Sequence, residues 1–428
     1  MNYTEALNKI DSLLVFGSQP GLDRIKMLLS LMGDPQDNVH FIHVAGTNGK
    51  GSVCNMLSSV LTKAGYKTGL FTSPHITGFG ERMQINGNEI SEEDTIALVE
   101  KLFPLVEELR AKDIIITEFE FVAAMAFQWF YDKGCDTVVL ETGLGGRFDA
   151  TNVIKTPLCS VITSISFDHT AILGDTLGKI AFEKCGIIKE NGHTVFGLQQ
   201  DEVNECVRNA ANERSNKLHI SKPLSAVSTD LFKTVVDSGD MTINMPLLGE
   251  HQLKNLSLVL SAVEALREQG YSITNEQIKL GVESVKLPAR FEKLSAEPLI
   301  IADGAHNPDG MKALSMAVDR YLADKTVICV LGMLRDKDCL HAVANMQGKV
   351  KKLFATTVPD NPRRQTAEEL KETISPLGFD TESCEDPHTA VDKALEEVKK
   401  YPDGMLLICG SLYLVSELRG YVGAHFVR

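Results

Sequence analysis

The spacing of apolar residues along the chain changes in a regular way. Over residues 4–14 and 22–32 they recur at helical intervals, and the turn-forming string GSQPG separates the two segments. NVHFIHVAG is then almost continuously apolar, which predicts a buried strand, and GKGSVCNMLSSVLTKAG returns to helical spacing and closes at Gly65. KTGLFTSPH reads as the next strand, and in GERMQINGNEIS the pair Asn86-Gly87 marks a hairpin turn. Helical segments over 91–110 and 118–133 precede two further apolar runs, DTVVLETGLGG and PLCSVITSISFDH. Runs of that kind belong to central parallel strands covered on both faces. Between residues 215 and 250 the helical pattern weakens, and alternating strings such as MTINMPLLG predict a small antiparallel patch before a helix over 251–268.

A second series of strand, loop and helix begins near residue 297: PLIIADGAHNPDGMKALSMAV, KTVICVLGMLRDKD, VKKLFATTVPDNPRRQTAEEL and GMLLICGSLYLVSEL repeat one plan. Alternation of this kind predicts an α/β protein with a doubly wound, mainly parallel sheet plus a small antiparallel sheet, followed by a separate α/β unit. The expected division is 1–295 and 296–428, with KLPARFEKLSAEP, residues 286–298, as the linker. A chain of 428 residues is long enough for two cores.

Composition narrows the function classes. Lys and Arg total 43 against 57 Asp and Glu, a net charge of −14, which disfavours nucleic-acid and anionic-membrane partners. The nine cysteines form no C-x-x-C pair, so a reduced, cytoplasmic setting is expected rather than a disulfide framework or a structural zinc site. The N-terminal string MNYTEALNKIDSLLVFG lacks the apolar core of a signal peptide, and no run approaches the ~18 apolar residues of a membrane span, so a soluble protein is expected.

Candidate chemistry sits just past strand ends, where open α/β sheets bind ligands. In HVAGTNGKGS, residues 43–52, a strand leads through a turn with Gly46, Gly49 and Gly51 into a helix start, which aims backbone N–H groups and a helix dipole at one point. Lys50 offers a charge for nucleotide phosphates and Ser52 a hydroxyl for Mg²⁺. The spelling departs from G-x-x-x-x-G-K-[ST]: Val44 stands where the first glycine belongs, and Gly51 separates Lys50 from Ser52. A glycine-rich helix entrance with a solvated lysine is the plainer alternative.

Other strand ends add to this. Glu141 in LETGLGGRFDATNV either holds a cation or caps the next turn, and Asp149 and Asn152 follow as candidate substrate contacts. His169 in ITSISFDHTAILG and Ser73 in FTSPH also follow strands, as cation ligands or as structural residues. Lys184 in AFEKCGIIK lies on a helix, where a solvated lysine is the ordinary outcome. His251, Gln252 and Asn255 open another helix, as caps or as an edge that reads adenine. In the second unit Asp303, His306 and Asn307 share a strand-to-helix turn, Arg290 lies in the linker before it, and Ser411 and Tyr413 occupy a similar turn.

In chain order, HVAGTNGKGS, FTSPH with ERMQING, TEFEF, ETGLGGRFDATNV, DHTAILG with EKCGIIK, GEHQLKNLSL, PARFE, DGAHNPDG and GSLYL resemble the folylpolyglutamate and dihydrofolate synthases of the Mur ligase superfamily over essentially the whole chain. The resemblance implies an N-terminal P-loop ATPase domain of Mur ligase type, a C-terminal Rossmann-like glutamate ligase domain, and an active site between them. It assigns ATP contacts to Thr47, Asn48, Gly49, Lys50, Gly51, Ser52, Asn255, Arg290 and Asp303. Mg²⁺ falls to Ser52, Ser73, Glu141 and His169, with a second Mg²⁺ held with the help of a carbamylated Lys184. Thr117, Glu118, Phe119 and Glu120, with Phe148, Asp149 and Ala150, match the pterin side, and His306 and Ser411 the incoming glutamate. The catalytic set so implied is Lys50, Glu141, His169, Lys184 and His306.

The implied reaction is ATP-dependent addition of L-glutamate to the γ-carboxylate of a reduced folate through an acyl phosphate, with dihydropteroate as a second acceptor. Dihydrofolate synthesis alone is one alternative. A peptidoglycan amino-acid ligase is a more distant one, disfavoured by the glycine between Lys50 and Ser52. The family precedent is a monomer whose partners are small molecules.

Overall fold

The computed structural model describes residues 1–17, 19–359 and 361–426. Strands β1 (His40–Ala45), β2 (Thr68–Phe71), β3 (Met83–Ile85), β4 (Asn88–Glu89), β5 (Thr137–Glu141), β6 (Cys159–Ile162), β7 (His193–Phe196) and β8 (Lys217–Ile220) form one eight-stranded sheet in the order β4-β3-β2-β5-β1-β6-β7-β8. From β2 to β8 neighbouring strands are parallel; β3 and β4 extend the edge as an antiparallel hairpin turned at Asn86 and Gly87, both at positive φ.

β1 is central, and its side chains alternate between two cores. Ile42 and Val44 face helices Lys50–Lys63, Glu250–Arg267 and Asn275–Glu283. A three-stranded antiparallel sheet of β9 (Ala226–Thr229), β10 (Thr234–Asp237) and β11 (Thr242–Met245) adds Val236, Ile243 and Met245 to that core. Phe41 faces the opposite way, toward helices Tyr3–Asp11, Asp23–Leu31, Glu92–Arg110 and Glu118–Asp132. The last of these reads EFEFVAAMAFQWFYD, apolar nearly all round, and is accordingly buried nearly all round.

β12 (Glu292–Ala296), β13 (Leu299–Ala302), β14 (Thr326–Leu331), β15 (Lys352–Ala355), β16 (Thr381–Ser383) and β17 (Gly404–Cys409) form the second sheet in the order β12-β13-β17-β14-β15-β16, parallel except for β12. Helices Pro308–Tyr321, Cys339–Ala344 and Ala367–Ile374 cover one face, Pro387–Val398 and Leu412–Phe426 the other. The division read at 295/296 falls inside β12, which pairs along its length with β13. Hydrogen bonds join the two units: Ser416 Oγ donates to the Ile76 carbonyl at 2.5 Å, and the Thr229 and Tyr321 hydroxyls are 2.9 Å apart.

Candidate active site

The turn after β1 is held from behind by the end of β6. Thr47 N–H donates to Ser164 O at 2.7 Å, and the Thr163 and Ser164 hydroxyls donate to Asn48 O at 2.8 and 3.1 Å. Gly49 caps the helix Lys50–Lys63 at φ 88°, and no side chain accepts from the first N–H groups. Those donors therefore face the cleft, which makes an anion cradle. Only glycine fits at position 49: an added Cβ would lie 2.4 Å from Asn255 Oδ1. Asn255 Nδ2 donates to Gln252 Oε1 at 2.9 Å, and Gln252 Nε2 donates to Ser52 Oγ at 3.3 Å, so the start of helix Glu250–Arg267 braces the loop.

Glu141 ends β5, level with Val44 of β1, and is 4% exposed. Lys50 Nζ lies 4.0 Å from its Oε1, and Ser73 N–H donates to its Oε2 at 3.3 Å, so the ends of β2 and β5 meet here. Attraction at that separation is about 4 kcal/mol at an effective dielectric of about 20, while burying an ion costs several kcal/mol. Burial wins and pushes the Glu141 carboxyl up to about 7, against Lys50 and the Ser73 N–H. A buried carboxylate with so few donors, at the end of the strand beside the phosphate-loop strand, is a hard-oxygen ligand that fits Mg²⁺.

Lys184, 3% exposed, is not a solvated helix lysine: its Nζ donates to Gly46 O at 2.7 Å. Burial, with the Lys50 ammonium adding to it, pushes Lys184 down to about 7. His169 sits at φ 48° after β6, and burial holds its imidazole below the ordinary value. Its Nε2 is 3.4 Å from Lys337 Nζ and 3.8 Å from Asp168 Oδ1.

The second unit meets this site through the turn after β13 and the loop after β14. Lys337 Nζ donates to Asp168 Oδ1 at 2.7 Å, Asn307 Nδ2 donates to Asp168 Oδ2 at 3.1 Å, and Asn48 Nδ2 donates to Asp309 Oδ2 at 2.9 Å. Burial alone would raise the Asp168 carboxyl, but Lys337, His169 and His306 hold it well below the ordinary range. His306 Nδ1–H donates to Gly304 O at 2.7 Å, which leaves Nε2 as the acceptor of a neutral ring; burial and Lys337 push its pKa down to about 4. Asp303 accepts from Phe291 N–H and Ala305 N–H, both at 2.8 Å, and so ties the linker residue that follows Arg290 to the turn after β13; Ala289 and Phe291, the neighbours of Arg290, both have positive φ. Ser411 is buried, and its Oγ accepts from Tyr413 N–H at 3.2 Å.

The residues read as the pterin side divide. Glu118 pairs with Arg82. Glu120 is enclosed by a capping box with Thr117 and an ion pair with Arg24 at 3.0 Å. Phe119 packs on Phe71 and lies over Gly143. Asp149 accepts from Leu144 N–H at 2.8 Å and from Thr151 N–H at 3.0 Å, which organises its loop; Ala150 is buried behind it, and Phe148 is 51% exposed. Asp168 and Lys337 were not singled out in the sequence, although both lie just beyond strands β6 and β14, the position that marked the other candidates.

Residues 44–263 match the family model of the Mur ligase middle domain, and residues 289–412 that of the Mur ligase, glutamate ligase domain. The chain is 37% identical over 431 residues to the dihydrofolate synthase/folylpolyglutamate synthase of Bacillus subtilis, covering 97% of this chain and 98% of that one. Its structure is similar to that of the Mycobacterium tuberculosis folylpolyglutamate synthase complexed with ADP and AMPPCP, with TM-score 0.89, 30% identity and 99% of each chain covered. It is also similar to Escherichia coli FolC in complex with DHPP and ADP, with TM-score 0.85, 30% identity, and 99% of this chain and 98% of that chain covered.

Proposed function

The chain belongs to the Mur ligase family, in the branch of the dihydrofolate and folylpolyglutamate synthases, and from that premise we propose that it joins L-glutamate to folates at the expense of ATP, acting on both dihydropteroate and glutamate-bearing reduced folates. The observation that carries this reading is the buried Glu141 and Lys184 with the part-buried Lys50 at the carboxyl edge of the first sheet, faced across the cleft by His306, Asn307 and Lys337. The relatives named above are folate ligases, which weighs against a peptidoglycan substrate.

The uncapped N–H groups of residues 50–52 and the Lys50 ammonium bind the nucleotide phosphates. Ser52, Ser73, Glu141 and His169 would hold one Mg²⁺, and a carbamylated Lys184 would help hold a second; bound magnesium offsets charge on the transferring phosphoryl group. Lys184 suits carbamylation because an amine with a pKa near 7 is about half neutral at neutral pH, and that half is nucleophilic toward CO₂; addition of CO₂ and loss of one proton turn it into an anionic ligand. Lys50 steadies the γ-phosphoryl group as it passes to the folate carboxylate, which becomes an acyl phosphate. His306, with Nε2 free to accept, takes a hydrogen bond from the glutamate ammonium and turns it toward the acyl phosphate, and Ser411 helps seat the amino acid; the amino group, having given one proton to solvent before closure, attacks the acyl carbon, and phosphate leaves. Asn48, Asn307, Asp309 and Lys337 hold the cleft shut meanwhile and keep water from the acyl phosphate.

Thr117–Glu120 and Phe148–Ala150 border the acceptor on this reading, Phe148 by its exposed ring and the others by fixing the wall behind it. No helix among the described residues is long and apolar enough to cross a membrane. Nine free cysteines favour a cytoplasmic setting, and a monomer is the family precedent. Purified protein supplied with ATP, Mg²⁺ and labelled glutamate, and offered dihydropteroate or methylene-tetrahydrofolate in parallel, is expected to label both; incorporation into neither rejects the reading.

A further inference from the structure

The edge of the first sheet opposite the phosphate loop carries a second cluster of chemically capable side chains. His193 opens β7, and His219 lies in β8 with its Cα paired to Val195, so both imidazoles rise from the face covered by helix Glu250–Arg267. Glu268 follows the last residue of that helix and brings its carboxylate between them. His193 Nδ1 and His219 Nε2 are 2.9 Å apart, and each is 3.8 Å from Glu268 Oε2. One ligand atom from each residue falls within 4.8 Å of the others.

We infer that His193, His219 and Glu268 form a binding site for one divalent transition-metal ion of the zinc class, which clips the sheet edge to the end of the helix. Two imidazole nitrogens and one carboxylate oxygen are the donors such ions prefer, whereas Mg²⁺ takes oxygen. Metal–nitrogen bonds of about 2.1 Å in a tetrahedral site place ligand atoms about 3.4 Å apart. The nitrogens therefore need to part, and the carboxylate to close in, by about half an ångström each, which side-chain torsions allow without moving the strands.

The present partners of these groups fit the same reading. The two rings are stacked at an interplanar angle of 17° and share one proton between facing nitrogens. Metal binding moves that proton to the far nitrogen of its ring and frees both lone pairs. Lys217 Nζ lies 2.7 Å from the same Glu268 oxygen, a monovalent cation where a divalent one would sit. Burial holds both imidazoles below their ordinary pKa, with Glu268 pulling them up and Lys217 pushing them down. The cluster is independent of the reaction: helix Glu250–Arg267 separates Glu268 from Asn255 by about 20 Å at 1.5 Å per residue.

The test uses the full chain without a histidine tag, saturated with ATP and Mg²⁺ so that the active site is filled. Titration with Zn²⁺ is expected to show one tight equivalent per chain and a melting temperature that rises with metal concentration, and Co²⁺ to give the visible bands of a four-coordinate ion. The double variant His193→Gln/His219→Gln should lose the equivalent and the bands, while Glu268→Gln should weaken binding by about tenfold or more. Each variant's metal-free melting curve and basal ligase rate are expected to match the parent's, which separates a lost ligand from a failed fold. Absence of a tight equivalent, or a tight equivalent that survives the double substitution, overturns the proposal.

Discussion

Two turns at the heart of this molecule share one plan and differ in chemistry. Each follows a parallel strand, β1 or β13, and each leads into a helix of 14 residues. At the first, Gly49 leaves the helix start without a side-chain cap, so its N–H groups point outward unpaired. At the second, Asn307 accepts from Gly310 N–H at 2.8 Å, and Pro308 removes another donor. The first is thus an open anion site and the second a closed one that presents Asp303, His306 and Asn307 instead.

Lys50→Met removes the cation of the open turn and should cost about 10²–10³-fold in kcat with little change in melting temperature, read from steady-state rates and a thermal scan. Lys184→Ala tests the proposed carbamate beside the open turn: turnover should fall by about 10²-fold, and added formate should restore part of it. Full activity in this variant returns Lys184 to a purely structural role on Gly46 O. Gly49→Ala forces alanine to φ 88° and against Asn255, which should weaken ADP binding by about tenfold or more in a calorimetric titration.

At the closed turn the expected effect is smaller and of another kind. Asn307→Ala loses a helix cap worth about 1 kcal/mol and the contacts to Asn48 and Asp168, so denaturant resistance should drop while ADP affinity changes little. The smallest effect is on pH dependence. His43, buried in β1, and His306, part-buried after β13, are held as neutral rings, with pKa pushed down chiefly by desolvation to about 3 and about 4 from 6.5. An unfolded chain takes up these protons below 6.5 and the folded one does not, so stability is whole above 6.5 and is lost as pH falls toward the folded values. Unfolding transitions should move down as pH is lowered from about 7 to about 5, and His43→Gln should flatten the slope for the first unit.

How far the site was legible depended on the range of each interaction. The phosphate turn could be read because strand, glycines, lysine and helix start lie within ten residues, and each acts through local backbone geometry. Glu141 could be placed at a strand end by its apolar run, but its raised pKa needs the enclosure that Lys50 and Ser73 complete. Asn255, read as a candidate for the adenine edge, is committed to Gln252 and abuts Gly49. The TEFEF string gave a helix start correctly, yet only packing turned Glu120 inward to Thr117 and Arg24.

The sequence by itself determined the two α/β units, the hairpin at Asn86-Gly87, the order of strands and helices in most of the chain, and the glycine-rich turn from β1 into its helix. These follow from periodicity and from residues whose preferences act over a few positions. Tertiary structure decided what the burial of Lys184 does to its charge, which residues close the cleft, and that Asp168 meets Lys337 across 169 residues of chain. It also brought His193, His219 and Glu268 together from two strands and a helix end. Desolvation and long-range pairing are properties of the packed chain, and no local pattern encodes them.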